Sequence, residues 1–452
     1  MTSRPEPDAA ALADHVLDVV GGRADATVSV QRVSDGLTRF ANSFIHQNVG
    51  DEHTLVTLEL VNNGRPAAAS TSMVDDASLA RLVEDALTAA SVRPVDPNWA
   101  GLCPPAPQHF NGVHYDPDTT AVGPDERAGV VEGFVEAGAG LESAGYCQTT
   151  TVETLLVNSL GQRVSDRTTQ AIIDGIHRDG RADGCGSVAT SSFADLDGYQ
   201  VGSTAASRAR AGTDPIELAA GRYEVVLDPR CVAYMMDFFS IYGFNARAVQ
   251  EGRSFVSVGE MQMDPSVSIW DDAGDPRHFG PSYDSEGTPK ARLDLVKAGL
   301  TVGVTHDRRT AARSGAASTG HAVPGGASMG ALANNLFLGP SSTAGVSSEE
   351  LVAGVQRGLL VSDFWYTRVL DPKTLVVTGL TRNGVFLIED GVVGPAVSNL
   401  RFTQSPVAAL APGRVLGIGN DASLAPGGLH FSWNHAPSLR LEHWAFTGTA
   451  SG

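Results

Sequence analysis

The groups that could do chemistry are scattered along the chain. A strand-like run, VVLDPR, turns at a proline into CVAYMMDFFSIYGF, and in many hydrolases such a strand-to-helix passage carries the catalytic residues. Here the helix-like stretch offers Asp237 as its only acid, and no histidine. Met235, Met236, Phe238 and Phe239 are residue types of a packed core rather than of a cofactor site. Three late histidines, His430, His435 and His443, are spaced by five and eight residues, which fits neither the H-x-x-x-H of a zinc helix nor a compact cluster. On strands they would point to mixed faces. With His278, His306 and His321 upstream, they read as surface or hydrogen-bonded histidines.

Two loops are more suggestive. DSEGTPK is an acidic turn with Asp284 and Glu286 ahead of a glycine hinge at Gly287, and STGHAVPGGASMG is a glycine-rich loop containing His321. The second lacks the G-x-x-x-x-G-K-[ST] of a phosphate cradle, which leaves backbone lining of a groove as its use. GIGNDA lacks the third glycine and the following helix of a dinucleotide site, and no G-x-S-x-G elbow occurs. Cys103, Cys147, Cys185 and Cys231 form no C-x-x-C pair and predict buried free thiols. The net charge of −19 argues against non-specific binding to nucleic acid or to an anionic membrane. No stretch approaches the roughly 20 apolar residues of a membrane span, and the N-terminus lacks the apolar core of a signal peptide. The expectation is a soluble, cytoplasmic protein.

The elements that must position these groups fall into three segments. Residues 1–110 open with a helix near Ala9 to Val20, continue through the alternating runs ATVSVQRV and TLVTLELV, and end in a helix, DDASLARLVEDALTAASVRP. Between the two runs, GLTRFANSFIHQNVGDEH mixes Arg39, Asn42, His46 and Gln47 with Phe40, Phe44 and Ile45, a pattern that suits a groove wall or an interface. A Pro-rich crossing leads into residues 111–215, with a helix from about Asp125 to Leu141 and strands turning at NSLGQ. RADGCGSVATSSFADLDGYQVGSTAASRARAG is a second passage, rich in Gly, Ser and Ala, that leads to the third segment. Residues 216–452 alternate short strands with turns; Asn383-Gly384 marks a hairpin tip, and SSEELVAGVQRG is a helix with capping-box spacing. The class is α+β, with N-terminal α/β layers and a mainly antiparallel β C-terminal domain carrying a few helices.

TRFANSFIHQ, VNSLGQRVSDRTT, PSYDSEGTPKARLDLVKAGLTVGVTHDRRTAARSGAASTGHA, LVAGVQRGLLVSDFW and APSLRLEHWAFTG, taken in order, resemble the TldD/TldE (PmbA) family, also labelled modulators of DNA gyrase. In that family the TldD branch is a zinc metallopeptidase with an H-E-x-x-x-H helix after a C-terminal-domain strand and a late cysteine that helps hold the metal. Laid over that motif, this chain presents Asp237, Phe238 and Tyr242, and no cysteine follows Cys231. The resemblance therefore implies the TldE/PmbA-like branch, with no catalytic residue, metal ligand or cofactor in this chain and zinc in a TldD-like partner. It further implies a heterodimer with that subunit, or a homodimer, acting on extended or unfolded peptides. Arg39, Asn42, His46, Asp284, Glu286, Gly287 and His321 are the groove or interface residues it suggests. The alternative is a stand-alone peptide-binding or regulatory protein without peptidase activity.

Overall fold

The structure, a computed structural model, describes residues 8–341, 344–429 and 432–449. Its class is α+β, as the sequence predicts. Strands β1 (Asp25–Ala41), β2 (Phe44–Asn62), β3 (Arg65–Thr71), β4 (Glu142–Asn158), β5 (Arg163–Asp179) and β6 (Ala182–Thr190) form one six-stranded antiparallel sheet in the order β3-β2-β1-β4-β5-β6. The first two sequence segments thus share a single sheet, through the β1–β4 pairing.

Each half of that sheet repeats one pattern, a helix, three strands and a helix. Ala9–Val20 and Asp76–Val92 bracket β1–β3, and Pro124–Ala137 and Gly198–Ala211 bracket β4–β6. On β1 the even residues Val28, Val30 and Phe40 pack against these helices. The odd residues therefore face the other way, because strand side chains alternate. That second face meets the C-terminal half, where Leu156 and Val164 pack on Tyr283, and Ile172 and Ala189 pack on Phe279 and Leu424.

RADGCGSVATSSFADLDGYQVGSTAASRARAG corrects the sequence reading. It is not merely a Gly/Ser/Ala-rich passage between segments but β6 followed by the helix Gly198–Ala211. Its glycines serve close packing: an added Cβ would lie 2.2 Å from the Ala205 carbonyl oxygen at Gly184 and 1.9 Å from that of Val130 at Gly198. The composition of a linker is here that of a tight helix-on-sheet contact.

The C-terminal half holds a second six-stranded sheet and a seven-stranded sheet. Between them lies the helix Pro229–Phe238, which touches the strands Ser423–Pro426, Trp433–Ala436 and Arg357–Asp371. Asp228 is its N-cap residue and Pro229 occupies the first turn, where a missing N–H costs nothing. Cys231, Val232, Ala233, Met235, Met236 and Phe238 are all buried, so the helix presents apolar residues to both layers, with Asp237 as a buried acid among them. The expected hairpin tip at Asn383-Gly384 is a second correction. Both residues have positive φ (57° and 125°), but they form a bulge inside the strand Val376–Glu389. The turn falls instead at Asp390-Gly391, with φ of 48° and 76°. No described helix is long and apolar enough to cross a membrane.

Candidate functional site

After Phe238 the site helix continues as a π-helical turn over Phe239–Phe244. Residues five apart are out of phase on a regular α-helix, and a π turn, whose bonds close at i+5, is the device that realigns them. Positions 237 and 242 are five apart and span the start of this π turn. Phe238 is buried, with the rings of Tyr234 and Tyr242 at 6.2 and 6.4 Å.

Asp237 is 1% exposed. Its Oδ2 accepts from the Leu429 backbone N–H at 2.9 Å; its Oδ1 accepts from the Ser432 hydroxyl at 2.5 Å and the Asn434 amide at 3.2 Å. The carboxylate fastens the tip of the hairpin between Ser423–Pro426 and Trp433–Ala436 onto the helix. A single carboxylate engaged in this way, beside Phe238 and Tyr242, does not fit a zinc ion, which takes nitrogen, sulfur and carboxylate ligands in a tetrahedral set. Among the described residues no cluster of histidine, cysteine and carboxylate side chains could hold a metal. His435 and His278 are buried and pushed down to about 4, mainly by desolvation. His443 lies partly exposed on the last strand, and His430 lies outside the described residues.

The DSEG turn and the His321 loop come together against the polar face of the N-terminal sheet. Two adjoining cavities of about 350 and 270 Å³ run along this seam and share Thr27, Glu59, Ser285, Ala322 and Val323. Asp284 Oδ1 accepts from the backbone N–H groups of Glu286 and Thr288, and Oδ2 from that of Ala322. Burial nevertheless raises its carboxyl above the usual range. Glu286 faces the smaller cavity and is pushed up to about 8 by burial and by the neighbouring Asp284. A side chain at Gly287, where φ is +79°, would strike Leu156 of the N-terminal sheet.

Sequence reading missed the polar floor beneath this seam. His321 Nε2 faces Asp271 Oδ1 at 3.1 Å with both side chains fully buried. Lys290, 2% exposed, donates from Nζ to Asn334 and to Asn335 Oδ1, the latter at 2.7 Å. Burial would raise the Asp271 carboxyl, but the charges of Lys290 and His321 overcome it and hold the group low. One signal was available. Lys290 is among only three lysines in a chain that otherwise uses arginine, and an arginine fork would not fit this point-like pocket of two amide oxygens.

Arg39, Asn42 and His46 are not part of this seam. They sit at the exposed tip of the β1–β2 hairpin, about 25 Å along the strand from Gln31 at the cavity. The structure therefore brings Asp284, Glu286, Gly287 and His321 together and leaves those three apart from them.

The sequence profile of the PmbA/TldA metallopeptidase C-terminal domain matches residues 220–448, about half of the chain. The chain belongs to the TldD/TldE/PmbA family. It is 31% identical over 135 residues to a metalloprotease of Synechocystis, covering 29% of this chain and 29% of that protein. It is 24% identical over 211 residues to a metalloprotease of Methanothermobacter thermautotrophicus, covering 46% and 45%. Each match spans less than half the length of the curated relative. In fold it is similar to TldE from Thermococcus kodakarensis (TM-score 0.85, 17% identity, 97% of this chain and 99% of that one). It is equally similar to a protein of Thermotoga maritima described as a candidate modulator of a DNA gyrase (TM-score 0.83, 17% identity, 97% and 100%).

Proposed function

We propose that this chain is a non-catalytic, TldE/PmbA-like subunit of a cytoplasmic TldD/TldE-type zinc metallopeptidase. It pairs with a TldD-like subunit that carries the zinc, or with itself, and shapes a groove for extended or unfolded peptides. The observation that carries this reading is the Asp237 clasp: the motif position holds a carboxylate engaged in fastening its own hairpin. The metalloprotease relatives and the TldE-like fold support the same reading. The seam between the polar sheet face and the 281–326 loops is the groove we assign to peptide, since backbone hydrogen bonds there would suit substrates of any sequence.

The test is co-expression with a TldD-like subunit, followed by zinc analysis and cleavage of unfolded peptides by each protein alone and by the pair. The expected outcome is co-purification, zinc and cleavage only where the TldD-like chain is present, and higher activity in the pair. About one tightly bound zinc per chain in this protein alone, or peptide cleavage by it alone, would overturn the reading. Replacing Arg39, Asn42 and His46 together with alanine is expected to leave folding intact and to weaken the pairing; unchanged pairing removes the hairpin tip from the interface.

A further inference from the structure

The larger cavity contains more hydrogen-bonding capacity than the protein uses. Of the acceptors around its floor, Asp284 holds three backbone N–H groups, and Asp271 holds the Asn335 N–H through Oδ2 while its Oδ1 faces His321 without a hydrogen bond of normal geometry. Donors are in surplus as well. An ammonium has three protons, and Lys290 places two of them on Asn334 and Asn335. The Asn334 amide uses its oxygen on Lys290, which leaves its NH2 as the group available to the cavity. The Tyr283 and Thr154 hydroxyls approach one another across the wall, yet neither makes a hydrogen bond of normal geometry among the described residues. Tyr283 is only 6% exposed. Buried polar atoms without partners are rare in folded proteins and call for an occupant.

Unused donors ask for an acceptor, and the nearby charge decides which acceptor. Asp284 and Glu59 line the cavity with Lys290 and His321, and Asp271 lies behind them, so the cavity has no excess of positive charge to draw in a carboxylate. A neutral carbonyl oxygen needs none. Its amide NH2 could in turn donate to the hydroxyl oxygens of Ser29 and Thr57 on the opposite wall, while Leu55 and Leu156 cover an aliphatic stem. From this arrangement we infer that the cavity is a recognition pocket for a neutral primary amide, the side chain of glutamine or asparagine in a bound peptide. The identification of the ligand as a peptide rests on the groove assigned above; the pocket chemistry does not.

The experiment uses the full chain and two sets of probes. Calorimetry with the blocked tripeptides N-acetyl-Ala-Gln-Ala-amide, its Glu counterpart and its Leu counterpart reads side-chain preference. NMR titration with glutaramide and with glutarate reads the pocket alone. The Gln peptide and glutaramide are expected to bind about tenfold or more tightly than their acidic counterparts. Tyr283→Phe with Thr154→Val removes only two hydroxyls. It is expected to weaken Gln-peptide and glutaramide binding about tenfold, leaving Leu-peptide binding and the thermal midpoint nearly unchanged. Lys290→Met is a harsher second variant with the same expected direction. Equal affinity for Gln and Glu peptides, or no effect of the double hydroxyl variant, overturns the pocket while leaving the groove standing. Glutaramide binding that is lost in the variant, with no binding of any peptide, upholds the pocket and overturns the peptide groove. No binding of any probe overturns both.

Discussion

A Cβ at Gly427 would lie 2.0 Å from Asp237 Oδ1. The hairpin can cross the site helix at this distance only where the crossing residue has no side chain. The carboxylate then gathers Leu429, Ser432 and Asn434 from the same hairpin. Asp237 is thus a fastening between helix and sheet.

That fastening predicts stability effects. Asp237→Ala takes this acceptor from one buried donor, Asn434, and two half-buried ones, Leu429 and Ser432, and a loss of about 1–3 kcal/mol in urea unfolding is expected. Gly427→Ala is expected to destabilise comparably, because helix and hairpin must part to admit the methyl group. Changes under about 0.5 kcal/mol in both variants would show the clasp to be slack.

Restoring the family motif with Asp237→His, Phe238→Glu and Tyr242→His is expected to give neither bound zinc nor peptide cleavage. Phe238 lies in the core between the two C-terminal sheets, and a carboxylate there would be buried without a partner. The imidazoles would also lack groups to orient them. Metal analysis with a peptide cleavage assay checks this; robust cleavage by the variant would show that the groove kept a catalytic geometry.

Glu286 gives a pH dependence whose sign is fixed by its shift from the usual 4.5 up to about 8. Between those values the folded chain holds a proton that the unfolded chain has released. This group therefore lowers stability as pH rises through that window. Glu286→Gln, which can still accept from the Arg308 N–H, is expected to raise the thermal midpoint at pH 8.5 and leave it nearly unchanged at pH 4.5. A midpoint difference independent of pH would show that Glu286 ionises normally.

Arg230 joins Asp174 of β5, at 2.9 Å, to Asp363 of the C-terminal half, at 3.3 Å. Arg230→Ala leaves the buried Asp363 and the half-buried Asp174 without their cation. The expected loss is about 3 kcal/mol at neutral pH and less at pH 5, since burial already raises the Asp363 carboxyl and lets it take up a proton. Denaturant titrations at the two pH values measure it, and equal small losses would mean that water replaces the guanidinium.

How much of this was legible in the sequence differs from one element to the next. The helix Ala9–Val20, the helix after Asp75 and the capping box at Ser347 and Glu350 follow from local pattern, because period and cap chemistry act within a few residues. The buried character of Met235, Met236 and Phe238 also follows from residue type alone. Local pattern failed where two distant segments share one constraint. Gly184 and Gly198 read as loop because nothing local says that Ala205 and Val130 will crowd them. Asn383-Gly384 reads as a turn because a positive φ serves a bulge as well as a hairpin. The floor of Asp271, Lys290, His321 and Asn335 is assembled from four separate loops and strand ends, and its hydrogen bonds exist only once these distant segments of the C-terminal half have packed together. Side-chain type and short-range period were written in the chain; which polar groups would be buried together, and so which would lack a partner, was decided by the packing of the N-terminal sheet face against the loops of the C-terminal half.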